Sequence, residues 1–526
     1  MSLHKKLNLD VNPYIFFISI GVILIFLLFG VTMPDRMGEL FGSVQAFIAD
    51  QFGWLYTLAM AIFLVFVIFL FFSRFGKIKL GPDDSEPDYS YASWFTMLFS
   101  AGMGIGLVFF SVAEPMFHYL APPTMEGETM QAAREAMRLT FFHWGFHPWG
   151  MYIVVGMSLA YFHFRKGLPL SIRSAFYPLL GDGIYTWKGN VIDILAIFGT
   201  MFGVATSLGL GVMQVNAGLE YLFGVEISTT VQILLIAGIT AIATVSVVLG
   251  LDKGIRRLSN FNIAIAIGLI IFVFIFGPTI YLLNATVENT GNYLQSLIGS
   301  SFWMGTFDGD GVDGWLAGWT LFYWGWWIAW SPFVGMFIAR ISRGRTIQEF
   351  VSGVLLVPTA FTFIWLTVFG NTALSMEIFE GAGISELATE QMLFAMLDGL
   401  PLASISSVAA TLVIITFFVT SSDSGSLVID MLASGGNPNP PVGQRVFWAV
   451  SEGAVAAVLL LAGGLAALQT AAISTGLPFT IVLLLMCYSL LKGLRLEGTE
   501  RLVRRKTFKA KSGDTRESPD KDKPAE

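Results

Sequence analysis

The chain has few of the residues on which soluble enzymes and metal proteins depend. Only 13% of its 526 residues are charged, and its one cysteine is Cys487. A single cysteine excludes an intramolecular disulfide and a cysteine-based metal cluster. The sequence also has no P-loop, no nucleophile elbow and no zinc-ligand spacing, which are motifs of ATP-driven pumps, hydrolases and metalloenzymes. We therefore predict a protein that is not an enzyme and has no bound cofactor.

Long apolar segments take the place of these motifs. Hydrophobic residues make up 55% of the chain, and the mean hydropathy is +0.69. Because roughly 20 apolar residues cross the hydrocarbon core of a bilayer, the sequence predicts an all-α integral membrane protein with about twelve transmembrane helices. The predicted spans are 13–33, 53–73, 90–119, 138–163, 190–222, 229–250, 258–284, 315–340, 350–371, 402–432, 443–466 and 471–493. The first ten residues lack the apolar region and cleavage site of a signal peptide, so the first span is predicted to be retained.

Charged residues between the spans predict the orientation. Cytoplasmic loops of membrane proteins are rich in lysine and arginine. Here basic residues precede the first span and follow the second, fourth, sixth, eighth and tenth spans, whereas the intervening loops are mostly acidic. We therefore predict a multi-pass protein of the bacterial inner membrane with both termini in the cytoplasm. The net charge of −7 comes partly from the outer loops and gives no reason to expect a nucleic-acid partner.

The chain is predicted to have five parts. They are a cytoplasmic N-terminus with two peripheral helices (1–88), a first group of five helices (89–284), an external connection able to form an interfacial helix (285–314), a second group of five helices (315–494) and a polar cytoplasmic tail (495–526). Two groups with an odd number of helices run in opposite directions, as in the inverted repeats of secondary transporters. The tail is either a solvated segment that helps to fix the topology or a contact for anionic membrane lipid.

Three glycines alternate in the third span, at Gly102, Gly104 and Gly106. Each costs a helix about 1 kcal/mol relative to alanine, so we predict that the helix unwinds there. Unwound backbone at membrane depth lines a cavity, and its free N–H groups can point at an anionic substrate group. We therefore predict substrate contacts at Gly104, Ile105 and Gly106. The alternative is close helix packing through small residues.

Two aromatic clusters lie in the middle of predicted spans, away from the headgroup belts where tryptophan is usual. Their members are Trp144, Trp149 and Tyr152 in one span and Phe322, Trp326, Trp327 and Trp330 in another. By helical periodicity each group falls on one broad helix face, whereas Trp324 points away and is predicted to pack. Aromatic rings cage quaternary ammonium groups. The clusters therefore predict a pocket for such a ligand, with a packed core as the alternative.

A hydroxyl cluster on the tenth span predicts a sodium site. Thr420 and Ser421 are adjacent, and the carbonyl group of Phe417 lies one turn earlier, so three oxygens would meet at one place. The carbonyl groups of Ser100 and Met103, from the broken third span, would complete an oxygen shell of the kind that hard cations prefer. The alternative is that the hydroxyls bond to the preceding helical turn or bridge helices.

Ionisable residues within membrane spans are candidates for function. In this chain the candidates are Glu114, His143, His147, Asp423 and Asp430. Each could relay protons, but we predict a structural hydrogen bond for each of them.

Together these segments resemble the betaine/choline/carnitine transporter family over essentially the whole chain. The matching runs are GMGIGLVFFSVAEP (102–115), WGFHPWGMY (144–152), FYWGWWIAWSPFVGMFIARISRGRT (322–346) and FFVTSSDSGS (417–426). The resemblance implies a LeuT-like fold, in which an inverted repeat of 5+5 helices follows two extra helices, and assembly as a homotrimer. It also implies uptake of compatible solutes that carry a quaternary ammonium or similar onium group.

The resemblance assigns roles to individual residues by motif. It places the two aromatic clusters in a substrate cage, and it places Ser207 of the fifth span in the substrate cavity. It assigns a principal sodium site to Ser100, Met103, Phe417, Thr420 and Ser421.

Departures from the family pattern sharpen the expected substrate and coupling. Choline transporters of the family tend to carry an aspartate at the position of Gly106, so an uncharged site favours a zwitterion such as glycine betaine. Sodium-independent carnitine exchangers place an arginine in the fifth span, but residues 190–222 contain no arginine or lysine. Thr200 and Thr206 are candidates for a second sodium site, although Val204 supplies no hydroxyl there.

The expected function is sodium-coupled uptake of a zwitterionic onium solute by alternating access, with glycine betaine as the first choice. One alternative is the same fold importing dimethylsulfoniopropionate, carnitine, choline or ectoine. A second is a sodium-independent exchanger of substrate and product. A third, from another class, is a membrane osmosensor that binds the same ligand without transporting it.

Overall fold

The computed structural model describes residues 9–102, 104–248, 252–309 and 311–511. Within these ranges there is no β-strand, and one isolated bridge joins Lys79 to Thr346. The helices are α1 (Pro13–Thr32), α2 (Pro34–Phe72), α3 (Tyr91–Gly102), α4 (Ile105–Leu120), α5 (Met130–Trp144), α6 (Phe146–Ala160), α7 (Trp187–Phe223), α8 (Thr229–Val248), α9 (Asp252–Phe276), α10 (Thr279–Phe302), α11 (Val312–Gly318), α12 (Thr320–Arg340), α13 (Ile347–Leu366), α14 (Met392–Asp398), α15 (Ala403–Ala433) and α16 (Val442–Lys511). Short helical turns occupy Arg74–Lys77, Tyr161–Arg165, Ile172–Phe176, Tyr177–Leu180, Gly181–Tyr185, Thr367–Asn371, Thr372–Ser375, Met376–Glu380 and Ile384–Glu386.

Seven helices in the described ranges are long and apolar enough to cross a membrane, or up to eight if a bent pair counts as one span. This confirms an all-α integral membrane protein, while the number twelve stays a prediction. The numbers differ because some predicted spans are divided between two helices, and because the last two predicted spans lie in one helix, α16. Residues 90–119 are divided between α3 and α4, and residues 138–163 contain the junction of α5 and α6. A bend of 112° separates α9 from α10. The predicted external connection 285–314 begins inside α10, which spans Thr279–Phe302.

The last two predicted spans form one long helix with an internal kink. Gly463 and Gly464 in α16 leave the helical conformation, and Gly464 has φ 57° and ψ −132°. Glycine populates positive φ at little cost. The kink therefore divides α16 into two parts near the boundary predicted between the spans 443–466 and 471–493.

α7 lies at the centre of the helices that carry the predicted site. It packs against α15, α16, α12 and α4, and its middle section is almost entirely buried. Gly199 and Gly203 face α12, where a Cβ on either would lie 3.1 Å from a backbone atom of Ala329 or Trp330. Small residues at this spacing let two helix backbones approach closely.

α12 crosses α16 at a second close contact. A Cβ on Gly325 would lie 2.7 Å from the Cα of Ile473, and a Cβ on Gly476 would lie 2.7 Å from the carbonyl oxygen of Gly325. Because α12 is continuous through this point, Gly325 marks a contact between backbones rather than a helix break. The inverted repeat of two five-helix groups stays a prediction.

The two N-terminal helices differ in how deeply they are packed. Only 28% of the most apolar stretch of α1 is buried, compared with 67% for α7, as expected for a peripheral helix. α2 packs against α16 and α6, and its Tyr56 hydroxyl donates a hydrogen bond to the carbonyl oxygen of Ile473. α2 is therefore more integrated than the sequence predicts.

Candidate functional site

The predicted break in the third span is confirmed. α3 ends at Gly102 and α4 begins at Ile105, and Gly104 is extended with φ −154° and ψ 172°. The first N–H groups of a helix have no acceptor within the helix, so Ile105 and Gly106 present free donors at the start of α4. Met103 lies outside the described residues.

The two glycines at this break lie against the tryptophans of α12. A Cβ on Gly106 would lie 2.2 Å from Cη2 of Trp326, and a Cβ on Gly104 would lie 3.4 Å from Cη2 of Trp330. Only a glycine fits between the α4 backbone and Trp326. The broken helix and the aromatic cluster therefore form one site.

Five of the predicted cage residues form one aromatic cluster, in which four are buried and Trp330 is partly exposed. Trp326 and Trp327 stack with ring centroids 4.7 Å apart at 14°. Trp144 meets Trp327 edge-on at 4.8 Å and Trp326 at 6.4 Å. Phe322 stacks on Trp326 at 5.3 Å, and Trp330 lies 6.4 Å from Trp327. Helices α5 and α12 thus contribute rings to a single cluster.

The other two predicted cage residues form a separate pair. Trp149 and Tyr152 contact each other at 5.5 Å, and no ring contact among the described residues joins them to the α12 tryptophans. The shared helix face predicted for Trp144, Trp149 and Tyr152 is wrong, because α5 ends at Trp144 and Gly145 is non-helical with φ −89° and ψ −133°. The role of the pair in binding stays a prediction.

Two polar atoms near these rings are buried without a hydrogen-bond partner in the described part of the chain. They are the hydroxyl oxygen of Tyr152 and Nε1 of Trp330. A buried polar group without a partner is costly. Each atom is therefore free to bond to a ligand that enters the site.

Glu114 accepts hydrogen bonds from residues of the aromatic cluster and of the helix α12. Its carboxylate is fully buried, and Oε2 accepts hydrogen bonds from Nε1 of Trp144 at 2.8 Å and from the hydroxyl of Tyr323. Oε1 lies 2.6 Å from Nδ1 of His143 and 3.3 Å from Nε2 of His118. Glu114, His118 and His143 lie close enough together to hold a metal ion. Because the imidazoles already bond to Glu114, we assign the group to hydrogen bonding.

The network continues from His143 to α12. Nε2 of His143 is hydrogen-bonded to Oγ1 of Thr320 at 2.9 Å, and the carbonyl oxygen of His143 accepts from Nε1 of Trp327 at 3.0 Å. The structural hydrogen bonds predicted for Glu114 and His143 are confirmed. So are those of His147 with Ser301, Asp423 with Arg445, and Asp430 with Gln444.

Trp324 packs outside the cluster, as predicted. It is buried and lies over the His147 ring at 5.5 Å and edge-on to Phe142 at 5.2 Å. This side of α12 therefore serves helix packing against α5 and α6.

α7 brings Ser207 close to the cluster. The Ser207 hydroxyl donates to the carbonyl oxygen of Gly203 at 3.2 Å, and the same oxygen accepts from Nε1 of Trp326 at 3.3 Å. Sequence reasoning missed Gly203 and its partner Gly199. The spacing of two glycines four residues apart would have indicated a close helix contact here.

The predicted sodium ligands are only partly described. Thr420, Ser421 and Phe417 lie together on α15, and Ser100 belongs to the last turn of α3. The Thr420 hydroxyl donates to the carbonyl oxygens of Thr416 at 3.0 Å and Phe417 at 3.2 Å. These bonds match the alternative in which the hydroxyl bonds to the preceding helical turn, and the sodium site stays a prediction.

The hydroxyls proposed for a second sodium site bond to backbone carbonyls. Thr200 donates to Ala196 at 2.8 Å. Thr206 donates to Phe202 at 2.8 Å and to Leu468 on α16 at 3.0 Å. These contacts match the alternative in which threonine bonds to the preceding turn or bridges two helices.

The sequence of this chain is similar to that of known membrane transporters. The BCCT profile, betaine/carnitine/choline family transporter, matches residues 14–499. The chain is 48% identical over 496 residues to a glycine betaine transporter of Acinetobacter baylyi, covering 93% of this chain and 74% of that protein. It is 46% identical over 501 residues to a probable glycine betaine transporter of Desulfitobacterium hafniense, covering 94% and 99%. It is 47% identical over 487 residues to the glycine betaine transporter OpuD of Bacillus subtilis, covering 92% and 95%.

Proposed function

The chain belongs to the betaine/carnitine/choline transporter family, and we propose that it is a sodium-coupled symporter that takes up glycine betaine. As a member of this family it is a multi-pass membrane transporter and not an enzyme. The similar proteins named as glycine betaine transporters support the substrate. We further propose that it lies in the bacterial inner membrane as a homotrimer, with both termini in the cytoplasm and its tail near the lipid.

The aromatic cluster of α5 and α12 is the observation that carries this proposal. A quaternary ammonium group binds over aromatic faces within about 6 Å of the ring centroids. The centroids of Trp144 and Trp326 are 6.4 Å apart and the rings meet edge to face, so a trimethylammonium group would lie against the side of this pair rather than between the two rings. Both side chains are buried, and cation–π attraction is strongest where water is excluded.

The start of α4 supports a zwitterion. Its free N–H groups and the positive end of the helix dipole favour an anionic group, such as the carboxylate of glycine betaine. An aspartate at position 106 would supply a counter-charge for a cationic substrate, but its Cβ would lie 2.2 Å from Trp326. The proposed substrate therefore has its positive end on the rings and its negative end on the N–H groups of Ile105 and Gly106.

Replacing Gly106 by alanine tests this arrangement. The added Cβ would collide with Trp326, so we expect glycine betaine affinity to fall about tenfold or more, which corresponds to about 1.4 kcal/mol. Binding would be measured by tryptophan fluorescence on the purified protein. The matched control is Gly291→Ala, because a Cβ there meets nothing within 4 Å. Equal affinity in the two variants would contradict the proposed contact.

The proposed sodium coupling rests on the predicted ligands of α15 and on the free energy that a sodium gradient supplies. At about −100 mV and a roughly tenfold gradient, each sodium ion supplies about 2.3 kcal/mol electrically and about 1.4 kcal/mol chemically. One ion would therefore sustain roughly 500-fold accumulation of substrate. Alternating access would rock one bundle of helices around the site.

Removing both hydroxyls of the proposed sodium site should remove sodium activation. In Thr420→Ala with Ser421→Ala, two of about five oxygen ligands are lost, and we expect uptake to lose its dependence on sodium or to cease. Thr416→Ala is the control, because Thr416 lies one turn before Thr420 on the same helix and is not among the predicted sodium ligands. Normal sodium activation in the double variant would eliminate the proposed site.

The whole proposal is tested by transport in proteoliposomes. Uptake of radiolabelled glycine betaine would be measured with and without an inward sodium gradient, while unlabelled choline, carnitine, ectoine and dimethylsulfoniopropionate compete. We expect sodium-dependent accumulation that unlabelled glycine betaine blocks best. Sodium-independent exchange would overturn the coupling, stronger competition by another solute would overturn the substrate, and saturable binding without accumulation would identify a receptor.

A further inference from the structure

Two adjoining cavities lie where the segment before α1 meets the start of α7. The larger has a volume of about 660 Å³ and the smaller about 270 Å³, and Asn12 and Tyr185 line both. Asn12 caps α1, and its side-chain amide donates to Oδ1 of Asn190 on α7 at 3.2 Å. No residue of the predicted substrate cage or sodium sites lines either cavity. The two cavities are therefore separate from the proposed transport site.

The larger cavity has an apolar wall and exposed aromatic residues. The apolar wall contains Ile18, Val191 and Ile194. Tyr14 and Trp187 also line this cavity, and each is 70% exposed. Exposed tyrosine and tryptophan are usual at the headgroup level of a membrane. This composition fits the glycerol region and the upper acyl chain of a phospholipid.

Arg173 in the wall of the smaller cavity has a hydrogen-bond donor without an acceptor. The residue is only 4% exposed, and its Nη2 has no hydrogen-bond partner in the described part of the chain. A Cβ on Gly435, which lines the same cavity, would lie 3.4 Å from this nitrogen. Nη2 therefore lies at the cavity side of the guanidinium group, where an anionic oxygen could accept its hydrogen bond.

Asp193 on α7 holds the guanidinium group in position. Its carboxylate is fully buried, and Oδ2 lies 2.5 Å from Nε of Arg173. The same carboxylate accepts from the Ser171 hydroxyl at 2.7 Å and from the backbone N–H of Arg173 at 3.1 Å. Nη1 donates to Oδ1 of Asn190 at 3.3 Å. Arginine forms strong charge-assisted hydrogen bonds with phosphate, and here its geometry is fixed before a ligand binds.

The charges of the smaller cavity favour a zwitterion. Among the described residues, Arg173 and Asp10 are the charged side chains that line the two cavities. Arg173 already pairs with Asp193, so the carboxylate of Asp10 brings a further negative charge. Oδ2 of Asp10 accepts from the uncharged amide of Asn437 at 2.7 Å. An anionic headgroup would be repelled by Asp10, whereas an ammonium group would pair with it.

We propose that the two cavities bind phosphatidylethanolamine, with the cytoplasmic leaflet as its source in the proposed orientation. The phosphate would accept a hydrogen bond from Nη2 of Arg173, and the primary ammonium group would donate to Asp10. One acyl chain would lie along Ile18 and Ile194. A choline headgroup has no N–H to donate to Asp10, and a glycerol headgroup leaves the lipid with a net negative charge. The inference goes beyond the proposed transport function and depends neither on the solute nor on sodium.

The test is native mass spectrometry of the purified, delipidated protein. It would be titrated with phosphatidylethanolamine, phosphatidylglycerol and phosphatidylcholine that have the same acyl chains. We expect phosphatidylethanolamine to bind about fivefold more tightly than the other two, because one exposed ion pair distinguishes them.

Asp10→Asn should remove this preference. Asparagine keeps an oxygen that can accept from Asn437 but has no charge, so phosphatidylethanolamine should bind about fivefold more weakly, as phosphatidylcholine does. The control is Asp182→Asn, an exposed carboxylate on the neighbouring turn Gly181–Tyr185, which should leave lipid binding unchanged.

Arg173→Gln should weaken the binding of all three lipids by about tenfold, because all three contain the phosphate. The change also leaves Asp193 without its ion-pair partner, so the unfolding temperature of the variant must be measured. If Arg173→Gln does not fold, Asp10→Asn still decides the proposal, because Asp10 is exposed.

Equal affinities for the three lipids, or unchanged phosphatidylethanolamine binding in Asp10→Asn, would overturn the proposal. Tighter binding of phosphatidylglycerol would overturn it as well and would identify a site for anionic lipid. Displacement of the lipid by inorganic phosphate at millimolar concentration would show that the smaller cavity takes free phosphate instead.

Discussion

Glycine betaine affinity should fall roughly 30-fold when either Trp326 or Trp327 is replaced by alanine. A desolvated cation–π contact contributes about 2 kcal/mol, and 1.4 kcal/mol corresponds to a factor of ten. The two rings stack on each other at 4.7 Å and meet Trp144, so removing either ring also leaves a gap beside its neighbours. The dissociation constant would be measured in detergent, where transport rate does not enter.

The control for the cage is an exposed tryptophan elsewhere in the chain. Trp187 is 70% exposed at the start of α7, and Trp187→Ala should leave the affinity unchanged. Trp326→Phe keeps an aromatic face of weaker quadrupole and should give an intermediate loss. If Trp326→Ala and Trp187→Ala bind equally well, the aromatic cluster is a packed core and not the substrate cage.

Replacement of Glu114 by alanine should lower glycine betaine affinity at least as much as the loss of Trp326 or Trp327, although Glu114 is not predicted to touch the substrate. The change leaves the Trp144 indole N–H and the Tyr323 hydroxyl buried without an acceptor, at about 1–3 kcal/mol each. We expect roughly a hundredfold loss of affinity, because Trp144 is no longer held against Trp327, together with a lower unfolding temperature. The two effects separate in Glu114→Gln, whose amide oxygen still accepts one of these bonds.

A positioning role predicts a graded series. Affinity should follow the order wild type, Glu114→Gln, Glu114→Ala, with the emission of Trp144 changing in step. The control is Glu135→Gln on α5, where the carboxylate pairs with Arg138 away from the cluster. If Glu114→Ala lowers the unfolding temperature and leaves affinity unchanged, Glu114 stabilises the fold but does not position the cage.

The parts of the site that follow from local sequence could be predicted. Three alternating glycines end α3 at Gly102, as their helix propensity indicates. Trp324 and Trp326 lie on different sides of α12, as helical periodicity requires. Both features depend on residues within one or two turns, so no distant partner is needed to infer them.

The parts that depend on distant partners could not be predicted in the same way. Gly145 separates α5 from α6, and a single glycine carries too little signal to show where a helical wheel stops applying. Glu114 meets Trp144 and Tyr323, which lie 30 and 209 residues further along the chain. Asp10 and Arg173 lie in different loops, and only the fold shows that they line one cavity.

The close contacts of α12 have a mechanical consequence. Gly203 brings α7 against the Ala329–Trp330 backbone, and Gly325 meets Gly476 of α16. The helix backbones therefore approach each other with few side chains between them. Backbones in such contact cannot slide past each other without losing van der Waals contact along both surfaces. We therefore expect α7, α12 and α16 to move as one rigid frame that carries Trp326 and Trp327. Trp144 belongs to α5, which the hydrogen bonds of His143 with Thr320 and Trp327 join to this frame. If the cage opens at the edge contact between Trp144 and Trp327, these two hydrogen bonds must break to admit or release the substrate.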